Sequence, residues 1–507
     1  MKTLLLITIF RLVVIPVQFE DREFASARSG QERLVAEAEA YFNRQYGEEA
    51  FRFELAPEVT LSHEAAWYGA DNPDRRDVHL ADAVKEACAA VQGQIELPET
   101  VLLLYAGAGQ HESGQANDIY PQQGKTNSGL TFAAAPEGRL GIFCHEFGHV
   151  LGLPDLYDTD GEQSGGTDRG LWGTSLMDEG CRRDTPPDFG AIEFELLGLG
   201  TCEELAPGPQ TLAPLLQGRR YLKATTAREG EFFLFEARAD GLHVFHVDRS
   251  ESDPWDYGFV NNNPAHPCAR PVPASPEATD ASGLPFPGTG GYSSFGSDSP
   301  AAFRDWNGSP VGLALTGIRL DGTGVAFEVL RPLTLLDIKV FQDAAVLRWK
   351  VDPALTGIGG ITVSWSPEGM DGFQSRKLTP DATSCTLEGL QPQTPYRFSI
   401  QVHTSARERY SIDGSFATKM LREGTYPYIY LSGATRNVDG SFPAGSKIPL
   451  RVFNATDVEE VEWTLDGERI FPEADGRFTL RRSGTLRARV IHTDGSSESL
   501  FKQITVL

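Results

Sequence analysis

The chain has 507 residues and carries 45 Lys and Arg against 70 Asp and Glu, which gives a formal net charge of −25. This length predicts several domains, and a hydrophobic content of 40% with 52 glycines and 32 prolines predicts packed cores joined by many turns. Such an acidic chain is excluded from binding nucleic acid by neutralising phosphates.

The beginning of the chain predicts at most an abbreviated export signal. Residues 1–10 read MKTLLLITIF, in which Lys2 precedes a short apolar run. No A-x-A cleavage site follows, so we expect the signal peptide to be short, truncated or missing. The next apolar run, LVVIPVQF from Leu12, predicts the first strand of a folded domain. No apolar stretch is long enough to cross a membrane, so we expect no transmembrane segment.

Periodic apolar residues predict two helices and two strands after this point. Residues 31–46 and 78–92 place apolar side chains on one helical face. Val101–Tyr105 is a continuous apolar run, typical of a buried strand. Residues 106–128 predict a long polar loop, and Gly129–Ala135 predicts a further strand. This order of elements predicts a mixed α/β (α+β) domain.

The most specific motif is HEFGHVLGLPD, from His145 to Asp155. His145 and His149 are four residues apart, so on a helix both imidazoles lie on one face and can bind one zinc ion. Glu146 can hold a water molecule as general base, Gly152 can end the helix in a left-handed turn, and Asp155 can return as the third ligand. The pattern predicts a metzincin-like zinc site, and an amphipathic helix with two surface histidines is the alternative.

A second feature follows at the distance expected for the methionine turn of metzincins. Residues 171–180 read LWGTSLMDEG. We predict that Met177 underlies the zinc site, and that Trp172 and Met177 shape its floor and wall.

Another glutamate competes for the place of the third ligand. Gluzincins take this ligand from a helix downstream of the H-E-x-x-H motif, and a helix predicted over 188–198 carries Glu193 and Glu195. We prefer Asp155, because Gly152 and the methionine turn accompany metzincins and gluzincins do not need them.

These motifs resemble the immune inhibitor A family of secreted bacterial metallopeptidases, in the variety found in Bacteroidetes. The similarity runs from about Leu12 to Leu330, through the segments HEFGHVLGLPDLYD, GLWGTSLMDEG, FELAPEVTLSHEAAWYG, VLLLYAGAG, GEFFLFEAR and GLHVFHVDRS. The resemblance implies a zinc-dependent endopeptidase that acts on protein or peptide substrates outside the cytoplasm. In metzincin-like enzymes, a strand near the zinc helix pairs with the extended substrate, and we assign this role to Gly129–Ala135.

Two loops near the motif carry further polar groups. Residues 156–170 are acidic and glycine-rich, and Asp158, Asp160 and Asp168 are candidate calcium ligands because a flexible loop of carboxylates suits this ion. The spacing does not match an EF-hand, and we favour a solvated loop. His111, in the earlier loop, is left out of the site because a loop histidine is usually solvated.

The six cysteines do not form a CxxC pair, which argues against a cysteine zinc site. Cys181 and Cys202 flank the segment after the methionine turn. They could form a disulfide or remain free thiols, and we favour free thiols. Cys88 and Cys144 lie on apolar helical faces and predict buried thiols.

The rest of the chain predicts β structure. We place a zinc peptidase catalytic domain at 11–204, its β-rich extension at 205–330, a fibronectin type III-like domain at 331–419 and an Ig-like β-sandwich at 420–507. In the extension, His243, His246 and Asp248 are weighed as a second metal site and rejected, because a pair on one strand is weak evidence.

Three aromatic residues mark the cores of the two terminal modules. In the fibronectin-like module, Trp349 predicts the buried tryptophan and Tyr396, in LQPQTPY, the tyrosine corner. In the last module Trp463 is the core candidate. Neither module has a catalytic motif, so we expect spacer roles or contacts with a cell surface or with glycans.

The sequence therefore predicts a secreted zinc endopeptidase with Glu146 as general base and acid, and with calcium as an open question. The alternative is a protease-like surface adhesin whose site is inactive. A glycan-cleaving enzyme needs paired carboxylates in a cleft, and no motif for them is found.

Overall fold

A computed structural model describes residues 9–47, 49–296, 303–370, 372–405, 408–419, 427–431, 434, 436–437 and 439–507. Residues 1–8, which hold most of the expected signal, and 420–426, at the start of the last module, lie outside the described residues. The chain divides into two compact units, Met1–Phe295 with Leu315–Val329 and Gly296–Ala314 with Leu330–Leu507. The division into four domains stays a prediction.

All helices of the described residues lie in the first unit. The helices of the described residues are α1 (Arg28–Tyr46), α2 (Ala65–Tyr68), α3 (Leu80–Val91), α4 (Gln110–Ser113), α5 (Leu140–Val150), α6 (Ala191–Leu197), α7 (Leu215–Gly218) and α8 (Asp253–Asp256), with 3-10 turns at Glu179–Arg182 and Ala281–Gly283. None of them is both long and apolar enough to cross a membrane.

The first unit is built on a six-stranded sheet. Its strands are β1 (Phe10–Gln18), β2 (Phe51–Leu55), β3 (Val59–Thr60), β4 (Thr100–Tyr105), β5 (Gln122–Lys125) and β6 (Thr131–Pro136). The strand order is β2-β1-β4-β6-β5, with β3 also beside β1. All pairs are parallel except β5 with β6, which makes β5 an antiparallel edge strand.

Helices cover both faces of this sheet, as the near-continuous apolar runs of its central strands require. Leu12 and Val14 of β1 join α1 and α5 in one core. Val13 and Ile15 point to the other face and join α3 in a second core. The helices predicted over 31–46 and 78–92 and the strand Val101–Tyr105 therefore correspond to α1, α3 and β4.

The region predicted as one long loop contains regular structure. Within 106–128 the chain forms α4 and β5, which polar, glycine-rich sequence does not indicate. The strand expected from Gly129–Ala135 is present as β6, but β4 and β5 pair with its two sides. The prediction that this strand pairs with substrate is therefore wrong, because β6 has no free edge.

The β-rich part of the first unit follows α6. Its strands are β7 (Thr201–Glu204), β8 (Gly208–Leu212), β9 (Arg220–Thr225), β10 (Glu231–Arg238), β11 (Gly241–Asp248), β12 (Ala269–Pro271), β13 (Ala314–Asp321) and β14 (Gly324–Leu330). They form a five-stranded sheet, β12-β11-β10-β9-β7, and a three-stranded sheet, β13-β14-β8. Phe232, Phe245 and Trp255 of this region share the core of α1 and α5.

The second unit contains β structure only in its described residues. Its strands are β15 (Leu333–Val340), β16 (Ala344–Val351), β17 (Ile358–Pro367), β18 (Gln374–Leu378), β19 (Ser384–Glu388), β20 (Pro395–Thr404), β21 (Arg409–Ala417), β22 (Tyr428–Tyr430), β23 (Lys447–Pro449), β24 (Arg451–Phe453), β25 (Val458–Leu465), β26 (Glu468–Ile470), β27 (Arg477–Thr479), β28 (Gly484–His492) and β29 (Ser497–Ile504).

A three-stranded sheet (β15-β16-β19) and a four-stranded sheet (β18-β17-β20-β21) share one core, as in a β-sandwich. Trp349 is fully buried in this core. The Tyr396 hydroxyl accepts a hydrogen bond of 2.9 Å from the backbone N–H of Gln391, so the predicted tyrosine corner is present.

The last module holds the four-stranded sheet β26-β25-β28-β29 and two two-stranded sheets, β22-β24 and β23-β27. Trp463 is buried in their core, as predicted. An immunoglobulin-like topology stays a prediction.

All six cysteines are free thiols. Cys181 is buried in the 3-10 turn Glu179–Arg182 against α5, whereas Cys202 lies exposed on β7. The alternative of a disulfide between Cys181 and Cys202 is therefore wrong. Cys144 is buried as predicted, and Cys88 is only half-buried.

Candidate metal centre

Helix α5 places two imidazoles on one face, with their ring nitrogens in fixed roles. His145 is buried, and its Nδ1 lies 3.0 Å from the carbonyl oxygen of Leu176. Nδ1 of His149 lies 2.8 Å from the carbonyl oxygen of Leu153. A carbonyl can only accept, so each Nδ1 carries the proton and each Nε2 presents a lone pair. The two Nε2 atoms are 3.1 Å apart.

The turn after the helix returns Asp155 to these nitrogens. Gly152 has a φ of 98°, a left-handed conformation that a residue with a side chain rarely adopts. Oδ1 of Asp155 lies 3.1 Å from Nε2 of His145 and 3.4 Å from Nε2 of His149. The three predicted ligand atoms therefore form a nearly equilateral triangle.

This triangle fits a small cation. Ligand atoms around tetrahedral zinc, at a bond length of about 2.0–2.1 Å, lie about 3.3 Å from one another. Oδ1 of Asp155 is buried, and no hydrogen bond within the described residues satisfies it. Two lone pairs and a carboxylate oxygen at this spacing repel one another unless positive charge, from a proton or a metal cation, lies between them. Two neutral imidazoles and one carboxylate are a donor set that zinc prefers.

The electrostatics of the two carboxylates differ. Burial alone would raise the pKa of Asp155, but positive charge on the imidazoles of His145 and His149, when they are protonated, outweighs burial and holds the pKa below its ordinary value. Burial raises the pKa of Glu146, although the same imidazoles oppose the shift. Asp155 therefore stays ionised as a ligand, whereas Glu146 is a stronger base than an exposed glutamate.

The segment after the acidic loop supports both the helix and the third ligand. Met177 is fully buried, and a Cβ added to Gly148 of α5 would lie 2.7 Å from its Sδ. The carbonyl of Met177 accepts a 2.7 Å hydrogen bond from the N–H of Leu156, the residue after Asp155. This is the support that the predicted methionine turn implies.

Trp172 does not shape the wall of the site. Its indole ring packs under the guanidinium of Arg169, 4.9 Å from the ring centroid, and it does not line the cleft. A left-handed backbone at Trp172, with φ of 60°, accompanies this orientation.

Because the turn at 179–182 packs closely against α5, we expect that Gly141 cannot be replaced by a larger residue without loss of stability. A methyl group on Gly141 would overlap the backbone carbonyl oxygen of Cys181, which cannot rotate away. Gly141→Ala should lower the free energy of unfolding by about 2–4 kcal/mol, measured by urea denaturation. Gly148→Ala is the matched variant on the same helix, because it meets only the flexible side chain of Met177. An equal or smaller loss at Gly141 would contradict this packing.

The ligand triangle opens into a cleft of about 530 Å³. Glu146 lines it, as do groups that the sequence did not indicate. These are His111, Tyr120 and Gln122 near the edge strand, Tyr157 after the third ligand, and Trp255–Gly258 at α8 of the β-rich part. Of these residues, Tyr157 has a signal in the sequence, because it lies two residues after the third ligand, in the segment HEFGHVLGLPDLYD. His111 lines the cleft but does not belong to the ligand group in the described residues, so the prediction that it is not a ligand is not contradicted.

The rival third ligands bond elsewhere. Glu193 accepts hydrogen bonds from the Ser175 hydroxyl and the N–H of Gly190. Glu195 is bound by the Tyr221 hydroxyl at 2.7 Å and by Nζ of Lys223 at 2.6 Å. Both carboxylates are thus held by protein groups away from the triangle.

The histidines of β11 also have protein partners. Nε2 of His246 lies 2.6 Å from Glu231, and Nε2 of His243 lies 2.9 Å from Asp240. Asp248 bonds to His266 at 2.8 Å. Within the described residues, His145, His149 and Asp155 are the group of metal-ligating side chains whose atoms lie within 4.8 Å of one another.

The candidate calcium ligands act as turn acceptors. Oδ1 of Asp158 accepts from the N–H groups of Asp160 and Gly161, and Oδ2 accepts from the N–H of Asp168. Asp168 in turn accepts from Gly170, and Asp160 from the Ser164 hydroxyl. The three carboxylates do not form a metal-ligating group in the described part of the chain, and calcium binding stays a prediction.

Comparison with known families bears on the same residues. Residues 104–188 match the profile of the immune inhibitor A peptidase M6, catalytic domain, and this span contains the helix α5, Asp155 and Met177. The match indicates a peptidase. Its family consists of metallopeptidases, in agreement with the His-His-Asp group. Residues 332–414 match the fibronectin type III domain.

Curated proteins and solved structures add little. No curated protein sequence matches the chain. A computer-redesigned β-sandwich protein is 24% identical, with 18% of this chain and 95% of that chain covered and a TM-score of 0.16. A human collagen alpha-1(XX) fn3 domain is 20% identical, with 18% and 83% covered and a TM-score of 0.16.

Proposed function

We propose that this chain is a zinc-dependent endopeptidase of the metzincin type. The observation that carries the proposal is the triangle of His145 Nε2, His149 Nε2 and Asp155 Oδ1, with edges of 3.1, 3.1 and 3.4 Å, beside the buried Glu146. The match of residues 104–188 to a peptidase catalytic domain supports it.

The residues have separate roles in hydrolysis. His145, His149 and Asp155 would hold the zinc ion. Zinc, when bound, polarises a carbonyl group and lowers the pKa of a water molecule. The oxygen of the attacking water bonds to the carbonyl carbon while Glu146 accepts one of its protons. Glu146 then delivers this proton to the leaving nitrogen, and the peptide C–N bond breaks to give a carboxyl end and an amine end. Its raised pKa suits both the acceptance and the return of this proton.

The edge strand β5 is the place for the substrate backbone. It is the terminal strand of the sheet, with β6 on its inner side, and Tyr120–Gln123 line the cleft beside the catalytic helix. An extended peptide that pairs with β5 gains main-chain hydrogen bonds regardless of its sequence. β5 therefore replaces β6 in this role.

The remaining predictions are part of the same proposal. The chain acts on proteins or peptides outside the cytoplasm and is an immune inhibitor A-like enzyme of the Bacteroidetes variety, with a catalytic domain at 11–204 and an extension at 205–330. The modules at 331–419 and 420–507 act as spacers or contact a cell surface or glycans. The alternative is a protease-like adhesin. The fibronectin type III match agrees with this alternative only if the zinc site is inactive.

Metal content and substrate class test the proposal together. Purified protein should retain about one zinc ion per chain after dialysis and should hydrolyse casein but not polysaccharide. Zinc with no hydrolysis of casein or of a random peptide library would favour the adhesin. Absence of both zinc and hydrolysis would refute the peptidase.

A further inference from the structure

The loop between α2 and α3 sends a buried carboxylate to the beginning of the edge strand. Asp77 is only 1% exposed and has a left-handed backbone with φ of 46°. Its Oδ2 accepts a 3.0 Å hydrogen bond from the backbone N–H of Tyr120 and a second from the side-chain amide of Gln122. One carboxylate oxygen thus binds Tyr120, two residues before β5, and Gln122, the first residue of β5.

The loop itself is held in place on several sides. The N–H of Asp77 donates to Oδ1 of Asp71 at 3.0 Å. The guanidinium of Arg76 lies over the ring of Tyr120, 4.6 Å from its centroid. At the end of the loop the His79 ring stacks on Trp67, with centroids 3.9 Å apart. A preorganised loop of this kind can fix the strand that it binds.

The edge strand needs such support. β5 has four residues, QQGK, and pairs through Gln122–Lys125 with β6 on one side only. A short polar strand with one partner gains little from burial, so its position depends on other contacts. Tyr120 and Gln122, the two residues held by Asp77, both line the cleft, as does Arg76.

We propose that Asp77 is a positioning residue for substrate, which holds the edge strand β5 in register to receive the peptide backbone. This inference rests on the proposed peptidase function and adds to it the residue that sets the geometry of substrate binding. Asp77 touches neither the ligand triangle nor Glu146, so its contribution falls on substrate binding and not on the chemical step.

Burying the Asp77 carboxylate is energetically unfavourable, which supports a functional role for this residue. Burial raises the pKa of Asp77 to about 7, and Asp71 adds to the rise, whereas the Tyr120 N–H, Arg76 and Gln122 oppose it. Oδ1 of Asp77 is buried without a hydrogen-bond partner in the described residues. A buried acid kept at such a cost is found more often at functional sites than elsewhere.

Steady-state kinetics of two variants test the proposal. Asp77→Gly removes the acceptor without strain, because glycine adopts a positive φ freely. Asp77→Asn keeps one acceptor oxygen and also tolerates this backbone. On a quenched fluorescent peptide spanning a casein cleavage site, Asp77→Gly should raise KM about tenfold with kcat within about threefold of wild type. Asp77→Asn should keep KM within about threefold of wild type.

The dependence of KM on substrate length separates a role in substrate positioning from a purely structural role of Asp77. A peptide too short to pair with β5 should show the same KM with wild type and Asp77→Gly. Glu137→Gln is the matched control, because Glu137 accepts from the N–H groups of Ala25, Ser26 and Gly107 and does not bond to β5. It should lower the melting temperature and leave KM unchanged.

Three results would overturn the proposal: an unchanged KM in Asp77→Gly, a fall in kcat alone, or an equal KM rise with short and long peptides. If Asp77→Gly does not fold, Gln122→Met decides, since it removes one donor to Asp77: a raised KM with unchanged kcat supports the proposal, and an unchanged KM overturns it. Failure of the peptidase function is separate, because wild type would then not hydrolyse the peptide at all.

Discussion

Replacing Glu146 with alanine should lower kcat for peptide hydrolysis by about a thousandfold or more while zinc content stays at about one ion per chain. Glu146 lines the cleft next to the ligand triangle but is not one of its three corners. Its removal therefore deletes the group that accepts and returns the proton, and it leaves the three metal ligands intact. The measurement is kcat on a fluorescent peptide, with zinc measured in the same preparation.

Glu195→Gln is the matched control for this variant. Glu195 lies on α6 and is bound by Tyr221 and Lys223, and it is the kind of glutamate from which a gluzincin would take its third ligand. The variant should keep its zinc and its activity within about threefold of wild type. Loss of zinc in Glu195→Gln, or more than a tenth of wild-type activity in Glu146→Ala, would contradict the roles assigned here.

Replacing His149 with alanine should remove the metal itself. The variant loses one of three ligands, and metal affinity should fall by well over a hundredfold, because loss of an outer-shell partner alone costs up to about that much. Zinc stabilises a folded protein that binds it by about 4 kcal/mol at a thousand times Kd. Added zinc should therefore raise the melting temperature of chelated wild type and leave that of His149→Ala nearly unchanged.

Asp155→Asn separates this effect from a loss of packing. The amide is nearly isosteric with the carboxylate but is a weaker, neutral ligand, so zinc affinity should again fall while the apo proteins have similar melting temperatures. Hydrolysis of casein by a zinc-free His149 variant would refute the mechanism.

The catalytic helix could be predicted because chemistry dictates the spacing of its residues. Two ligands on one helical face need to be four positions apart in the sequence, and a third ligand after a left-handed glycine needs a fixed offset. The structure brings the resulting side chains, His145, His149 and Asp155, within 4.8 Å of one another. The central strands and α1 and α3 could be predicted for a similar reason, since burial imposes a period on apolar residues.

The rest of the cleft could not be predicted, because tertiary contacts build it. The edge strand QQGK has no apolar alternation, and its partner in the sheet determines its conformation. Trp255–Gly258 reach the cleft from the β-rich part, about a hundred residues after Asp155. Trp172 lies next to the methionine turn in sequence, yet a left-handed backbone turns its ring towards Arg169.

The position of Asp77 could not be predicted from the sequence either. An exposed-looking run, DNPDRRD at 71–77, gives no sign that its last aspartate is buried. Only the fold shows that its carboxylate binds Tyr120 and Gln122.

The most direct test of the central claim is casein hydrolysis by the purified chain before chelation, after chelation and after zinc is restored, with Glu146→Ala treated in parallel. We expect hydrolysis that is lost on chelation, returns with about one zinc ion per chain, and is absent from Glu146→Ala throughout. Hydrolysis that survives chelation, or that Glu146→Ala retains, would contradict a zinc peptidase with Glu146 as its base.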